Sequence, residues 1–226
     1  MKREIIKTAD GSSTIFIPEW NEHYHSKHGA LQEALHVFID TGLQHYLRIH
    51  NPEKMNIFEI GFGTGLNALI SYYAAERAGI EINYTGVEAY PVSNEELAAL
   101  EYAQSLSEDN ASEVFLKLHE GSWGQRQEIS PFFTLQKEQM FFSDIQAENA
   151  CDLIFFDAFG PRVQPDLWTE EIFTRMYRAL RHRGVLVTYS AKGSVRRAMQ
   201  AVGFLVERLP GPPGKREMLR ATKPND

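Results

Sequence analysis

Three closely spaced glycines and four carboxylates are the residues of this chain best placed to do chemistry. The run Ile57-Phe-Glu-Ile-Gly-Phe-Gly-Thr-Gly-Leu-Asn-Ala-Leu69 sets Gly61, Gly63 and Gly65 between a short β-type segment and a helical pattern. A strand, a tight glycine turn and a helix N-terminus expose free backbone N–H groups, which with the helix dipole attract a polar or anionic ligand. Glycine suits the turn because a side chain would block close approach of the backbone. Glu59 ends the strand before the turn. Glu88 ends a second strand-like run, Asn83-Tyr-Thr-Gly-Val-Glu-Ala89, 27 residues after Gly61. An acid at that separation fits a carboxylate bonded to ribose hydroxyls. Asp157 closes the apolar run Asp152-Leu-Ile-Phe-Phe156 and opens the turn Asp157-Ala-Phe-Gly-Pro161. Ligands of open α/β sheets sit at the carboxyl ends of the strands, so Asp157 is expected to face whatever the glycine loop holds. Asp144, after Met140-Phe-Phe142, is a fourth strand-end acid.

The spacing narrows the ligand. A dinucleotide fingerprint G-x-G-x-x-G would need glycine at 66, where Leu66 stands. The pattern Glu-x-Gly-x-Gly-x-Gly resembles motif I of the S-adenosylmethionine (SAM) methyltransferases. That resemblance implies that Glu59 and the glycine loop, with Asn67 at its helical end, hold the methionine end of SAM. It implies Glu88 on the ribose and Asp144 against the adenine amino group. In many N-methyltransferases an acid followed by a proline-containing turn receives the substrate amine, which is the role expected of Asp157. A carboxylate there can take a proton from the attacking nitrogen or fix the direction of its lone pair.

The elements that must position these groups alternate from residue 57 onward. Strands are expected at Ile57–Ile60, Tyr84–Ala89, Asp152–Phe156 and Gly184–Tyr189. Helices are expected from Leu66 to about Arg77, Ser93 to about Leu106, Glu170–Leu180 and Gly193–Val202. Phe132–Leu135 and Met140–Phe142 flank a polar stretch and suggest a hairpin or bent strand. Phe204–Leu209 and Glu217–Ala221 read as a closing antiparallel pair. Alternating β and α elements predict a doubly wound, Rossmann-like α/β fold with a mostly parallel sheet. The first 50 residues break the pattern: Ser13–Ile17 reads as a strand able to form a hairpin with Ile5–Thr8, and Ala30 to about Arg48 as a helix. We therefore expect residues 1–50 to form an N-terminal cap on a methyltransferase domain of residues 51–226.

The chain has 226 residues and 43% hydrophobic content, enough for a substantial core. Its one cysteine, Cys151, excludes an intramolecular disulfide. No apolar run approaches the ~18 residues of a membrane span, and the first residues lack a signal-peptide core. A cytoplasmic protein without a membrane segment is expected. His23, His25 and His28 cluster without matching ligand spacing, so no metal is expected. The net charge of −7 hides an asymmetry: residues 175–226 carry 12 Lys or Arg against three acids, a balance of +9 that leaves −16 for the rest. A basic end on an acidic body often marks a polyanion-binding face. Lys192, Arg196, Arg197, Lys215 and Arg216 are the candidate phosphate contacts.

The pieces Gly61–Asn67, Asp157–Pro161, Pro165-Asp-Leu-Trp168, Ser194-Val-Arg-Arg197 and Lys215-Arg-Glu-Met218 together resemble the methyltransferase domain of the MnmC family, as do Tyr24-His-Ser26 and His36-Val-Phe38. Gly160 departs from the alanine expected in the family's turn and leaves Asp157 in register. The resemblance implies SAM-dependent methylation of the aminomethyl group of 5-aminomethyl-2-thiouridine at the tRNA wobble position, with Tyr24 and His25 closing the pocket over the substrate. No oxidoreductase domain follows Asp226, so a free-standing form is expected. Two other readings compete. An aminopropyltransferase similar to spermidine synthase would favour a further Asp in the glycine loop. A non-catalytic RNA-binding module would leave Gly61, Gly63, Gly65, Glu88 and Asp157 without a joint purpose.

Overall fold

Strands β4 (Lys54–Ile60) and β8 (Cys151–Phe156) lie side by side at the centre of the sheet, and the chain leaves them in opposite directions. A computed structural model describes residues 2–100, 102 and 106–225. From β4 the chain runs through α3 (Leu66–Ala78) to β5 (Glu81–Glu88), and β7 (Phe133–Gln139) pairs beyond β5. From β8 it runs through α6 (Glu170–Ala179) to β9 (Leu180–Thr188) on the other side. All four of these pairings are parallel. The antiparallel strand β6 (Arg126–Ser130) flanks β7. The pair β10 (Leu205–Pro210) and β11 (Glu217–Thr222) closes the opposite edge, with β11 against β9. The eight-stranded order β10-β11-β9-β8-β4-β5-β7-β6 therefore reverses between β4 and β8, where a ligand crevice opens in such sheets.

All four expected parallel strands form. The region expected to bend around Gln136–Gln139 is instead a continuous strand, because Phe133, Leu135 and Lys137 turn inward while Thr134, Gln136 and Glu138 face outward. Strand β5 alternates in the same way from Ile82 to Thr85. Over β5 and β7 one face of the sheet is thus polar, and helices cover only the other. Around β8 and β9, buried throughout their apolar runs, helices pack on both faces: α6 and α7 (Gly193–Ala201) on one, residues 30–50 on the other. The helix expected from Ser93 begins as α4 (Asn94–Ala98), with Ser93 and Glu96 forming a capping box; 101 and 103–105 of the expected span lie outside the described residues. The helix α5 (Ala111–Glu120) was not foreseen.

The first 50 residues divide between two roles. Strands β1 (Glu4–Lys7), β2 (Ser13–Ile17) and β3 (Glu22–His23) make a small separate antiparallel sheet. The helical stretch that follows is a layer of the main core: α1 (Ala30–Ala34) and α2 (Gln44–His50) enclose a π-helical segment, Leu35–Leu43. Phe38 meets Phe155 with ring centroids 5.1 Å apart, and Gly42 packs so closely that a Cβ there would lie 2.9 Å from Val187. The wider π turn and the missing side chain let this helix press onto β8 and β9.

The glycine loop is seated on β5. The Gly61 and Phe62 N–H groups both donate to the Val87 carbonyl at 3.0 Å, and the buried Phe62 ring covers Gly86. A Cβ on Gly86 would sit 2.2 Å from Phe62 Cδ2. Gly86→Ala should therefore displace Phe62 and cost about 1–3 kcal/mol, roughly 3–10 °C in melting temperature. A thermal melt matching the wild type would show that the ring is not pinned there.

Candidate active site

One cavity of about 310 Å³ opens at the carboxyl ends of β4, β5, β8 and β9. Gly61, Phe62, Gly63, Thr64, Leu66 and Asn67 form its floor, Glu88 to Tyr90 and Phe141 to Ser143 one side, and Asp157 to Phe159 with Tyr189 the other. Trp20, His23, Tyr24 and His25 from the N-terminal segment face them, with Arg3 beside Tyr24.

Asn67 joins the carboxylates of this region. Its Nδ2 donates to Glu59 Oε1 at 2.8 Å and to Asp157 Oδ2 at 2.9 Å, and the Tyr84 hydroxyl donates to Glu59 Oε2 at 2.8 Å. Burial, reinforced by the nearby Asp157 charge, pushes Glu59 well above the usual carboxylate range. Burial does the same to Asp157, helped by Glu33 and opposed by the Asn67 hydrogen bond and the Lys215 charge. Asp157 nonetheless reaches the cavity, while Glu59 lies behind Asn67 with both oxygens engaged. Asn67 Oδ1 is buried without a hydrogen-bond partner among the described residues, an acceptor left for a donor that a ligand would bring.

The glycines divide in the same way. Gly61 has φ 92°, and a Cβ there would strike the Asp157 carbonyl at 2.7 Å. Any side chain would separate the loop from the end of β8. Gly63, at φ 51°, donates its N–H to Glu88 Oε2 at 3.1 Å, and Tyr24 lies directly over it. Glu88 Oε1 accepts from the Tyr90 N–H at 2.9 Å, so two backbone groups fix this carboxylate at the cavity edge. Gly65 caps α3 and faces His119 and Phe62 in the interior. This backbone cradle, the oriented carboxylate and the orphaned amide oxygen fit a ligand with hydroxyl and amine donors.

Asp144 is placed otherwise than expected. Strand β7 continues to Gln139, and a 3₁₀ turn, Phe142–Asp144, then carries the carboxylate to an exposed position on the neighbouring groove over the polar sheet face. Phe141, Phe142 and Ser143 line the main cavity instead. Tyr90 and Phe141 are 59% and 55% exposed there with rings 6.0 Å apart, two apolar walls that no charged motif in the sequence marks. Tyr24 and His25 do line the cavity. Burial pushes His25 down to about 4, so it is neutral at physiological pH.

The basic C-terminal quarter is less free than its count suggests. Arg175, Arg181, Arg208 and Arg220 pair with Glu171, Asp152, Glu217 and Glu207. Lys215, expected on phosphate, turns inward: it pairs with the buried Glu33 and lies 3.8 Å from the Tyr189 ring centroid. Lys192, Arg196, Arg197 and Arg216 make no ion pair among the described residues, and none of them lines the cavity. Among the described residues no cluster of His, Cys, Asp and Glu could hold a metal, and no helix is long and apolar enough to cross a membrane.

Residues 111–224 match a family of S-adenosyl-L-methionine-dependent methyltransferases. The chain is 32% identical over 218 residues to the tRNA 5-methylaminomethyl-2-thiouridine biosynthesis bifunctional protein MnmC of Pseudomonas aeruginosa, covering 88% of this chain and 32% of that protein. It is 33% identical over 221 residues to the protein of the same name from Azoarcus sp., covering 92% and 34%. It thus spans about a third of the length of the curated relatives it matches. Among solved structures, MNMC2 from Aquifex aeolicus superimposes with a TM-score of 0.81 at 22% identity, over 100% of this chain and 73% of that one. A spermidine synthase from Thermotoga maritima reaches 0.61 at 14% identity, over 99% and 70%. These likenesses show a Rossmann-like methyltransferase fold.

Beneath the loop, His119 packs on Phe115 and Phe62 with its Nε2 buried and unpartnered among the described residues, and burial lowers it from 6.5 to about 4. The folded state favours the neutral ring. The unfolded chain takes up a proton below about 6.5, so this residue makes stability fall as pH drops from 7 to 5. His119→Phe keeps the aromatic packing and removes the titration. Its loss of unfolding free energy between pH 7 and pH 5 should be smaller than the wild type's by about 2 kcal/mol, measured by urea unfolding.

Proposed function

The chain belongs to the S-adenosyl-L-methionine-dependent methyltransferases, and on that footing we propose that it methylates the primary amine of 5-aminomethyl-2-thiouridine at the wobble position of tRNA. The observation that carries this reading is that Asp157 opens into the same cavity as Gly61, Gly63 and Glu88. The names of the relatives supply the nucleoside: their product is a 5-methylaminomethyl-2-thiouridine, one N-methyl beyond an aminomethyl group. Lys192, Arg196, Arg197 and Arg216 are left for tRNA phosphates.

Bound SAM supplies an electrophilic methyl group on a sulfonium leaving group. Gly61 and Gly63 would admit its methionine portion, Asn67 Oδ1 would accept from its ammonium, and Glu88 would take the ribose hydroxyls. Tyr90, Phe141 and Phe142 offer apolar surface for the adenine. Glu59 acts one step back by holding Asn67. The substrate amine arrives mostly protonated and cannot attack in that state. Asp157, with its raised pKa, takes a proton from the ammonium and leaves a neutral nitrogen whose lone pair forms the new N–C bond as the C–S bond breaks. The secondary ammonium product then keeps its charge beside the carboxyl group. Positioning in a closed pocket supplies most of the remaining acceleration. The aminopropyltransferase reading is not favoured: the loop Phe62-Gly-Thr64 offers no carboxylate, and the family match is to methyltransferases.

Asp157→Ala should reduce single-turnover methylation of aminomethyl-uridine tRNA roughly 100-fold or more while changing SAM affinity much less. Wild-type turnover in that variant would reduce Asp157 to a turn residue. Because Asp157 must be ionised to accept the proton, wild-type kcat/KM should rise with pH through its raised pKa, and the variant should lose that limb. Glu88→Ala should weaken SAM about 10- to 100-fold by calorimetry, the loss of one charged hydrogen-bonding group; unchanged affinity would remove Glu88 from the cofactor site.

A further inference from the structure

Part of the cavity, reaching from Tyr24 above the glycine loop to Trp20, is walled by aromatic rings. Phe159 meets Trp20 at 5.5 Å and 81°, and Tyr24 at 5.0 Å and 84°. The rings come from segments far apart in sequence and are held together by other groups. Arg162 donates to the Trp20 carbonyl at 3.1 Å and the Asn21 carbonyl at 3.3 Å and pairs with Glu22. The Trp168 indole donates to the Phe159 carbonyl at 2.8 Å, and the Tyr189 hydroxyl to the Ala158 carbonyl at 2.8 Å. All three rings stay partly exposed. Three polar groups on the same wall, the Gln164 carboxamide, the Tyr24 hydroxyl and the Trp20 indole N–H, have no hydrogen-bond partner among the described residues. A rigid apolar wall with unspent donors and acceptors is how a protein receives a flat heterocycle.

We propose that Trp20 stacks the acceptor pyrimidine, splayed out of its loop, with the near-perpendicular Phe159 ring bounding the base at its edge, and that Gln164 pairs with its hydrogen-bonding edge. The inference rests on the tRNA reading above and names how that substrate is held. A carboxamide offers one N–H₂ donor group beside one carbonyl acceptor, which matches the imide edge of a uracil ring, with its N3–H donor and adjacent carbonyl or thiocarbonyl. Phe159 follows Asp157 by two residues on one turn, so a base against its ring lies beside the carboxylate that receives the 5-substituent. A loop nucleotide is already unpaired, which lowers the cost of extruding it. The adenine of SAM does not compete for this wall, since Tyr90, Phe141 and Phe142 stand on the opposite side.

The test has two arms. Titrating the protein, saturated with S-adenosylhomocysteine, with 5-(aminomethyl)uridine nucleoside should quench tryptophan fluorescence in the wild type and not in Trp20→Phe. In steady state, Gln164→Leu and Trp20→Ala should each raise the KM for aminomethyl-uridine tRNA roughly 10-fold, with SAM affinity by calorimetry unchanged as proof of an intact fold. Absence of quenching at millimolar nucleoside, equal quenching in Trp20→Phe, or an unchanged tRNA KM in both variants would overturn the proposal. Quenching confined to Trp20 in a protein that does not methylate this tRNA would support the base pocket while refuting the amine acceptor.

Discussion

Asn67 is the joint on which the site depends. Glu59 and Asp157, from the ends of neighbouring parallel strands, are both costly to ionise because both are buried, and the Asp157 charge adds to the cost at Glu59. One carboxamide on the first turn of α3 donates to both. A neutral donor can satisfy two acids without cancelling either charge, which leaves Asp157 able to titrate. The same bond ties α3 to β4 and to the end of β8, while Tyr84 fastens Glu59 to β5. The glycine turn can therefore stay open to a ligand without losing its place, because its two ends are held from behind.

A second layer of positioning comes from parts of the chain remote in sequence. Glu33, on the first helix, accepts from the Ser26 N–H at 2.7 Å and pairs with Lys215 from the β10–β11 turn. Lys215 in turn covers the Tyr189 ring, whose hydroxyl holds the backbone next to Asp157. Glu33 raises and Lys215 lowers the Asp157 pKa, so this pair balances the charge behind Asp157 as well as closing the N-terminal segment onto the cavity. Glu33 is buried in this pair and Lys215 only partly, so removing the lysine would strand a buried carboxylate.

The sheet is asymmetric for a related reason. Its β8–β9 side is apolar on both faces and carries helices on both. Its β5–β7 side alternates, and its outward face, with Asn83, Thr85, Thr134 and Gln136, stays open to solvent. The crossover from β7 to β8 is correspondingly short and contains only a 3₁₀ turn. Within it Asp144 turns to the neighbouring groove, and Phe141 and Phe142 line the cavity edge.

Much of this architecture is legible in the residues themselves. Apolar runs, the glycine turn and the acids at strand ends are local patterns, and local patterns dictate local geometry: the four parallel strands, the closing antiparallel pair and the facing of Glu88 and Asp157 follow from them. The uniformly polar run Gln136–Gln139 looks like a break in the sequence because half-buried strands lack the long apolar run of central ones. Only the tertiary structure decided what depends on contacts across the chain. It turned Glu59 and Gly65 inward, exposed Asp144, withdrew Lys215 from the basic surface, and set Trp20 against Phe159 across 139 residues of sequence. A residue type and its spacing say what a side chain can do; which neighbour satisfies it first is settled by packing, and a group already satisfied is no longer free for a ligand.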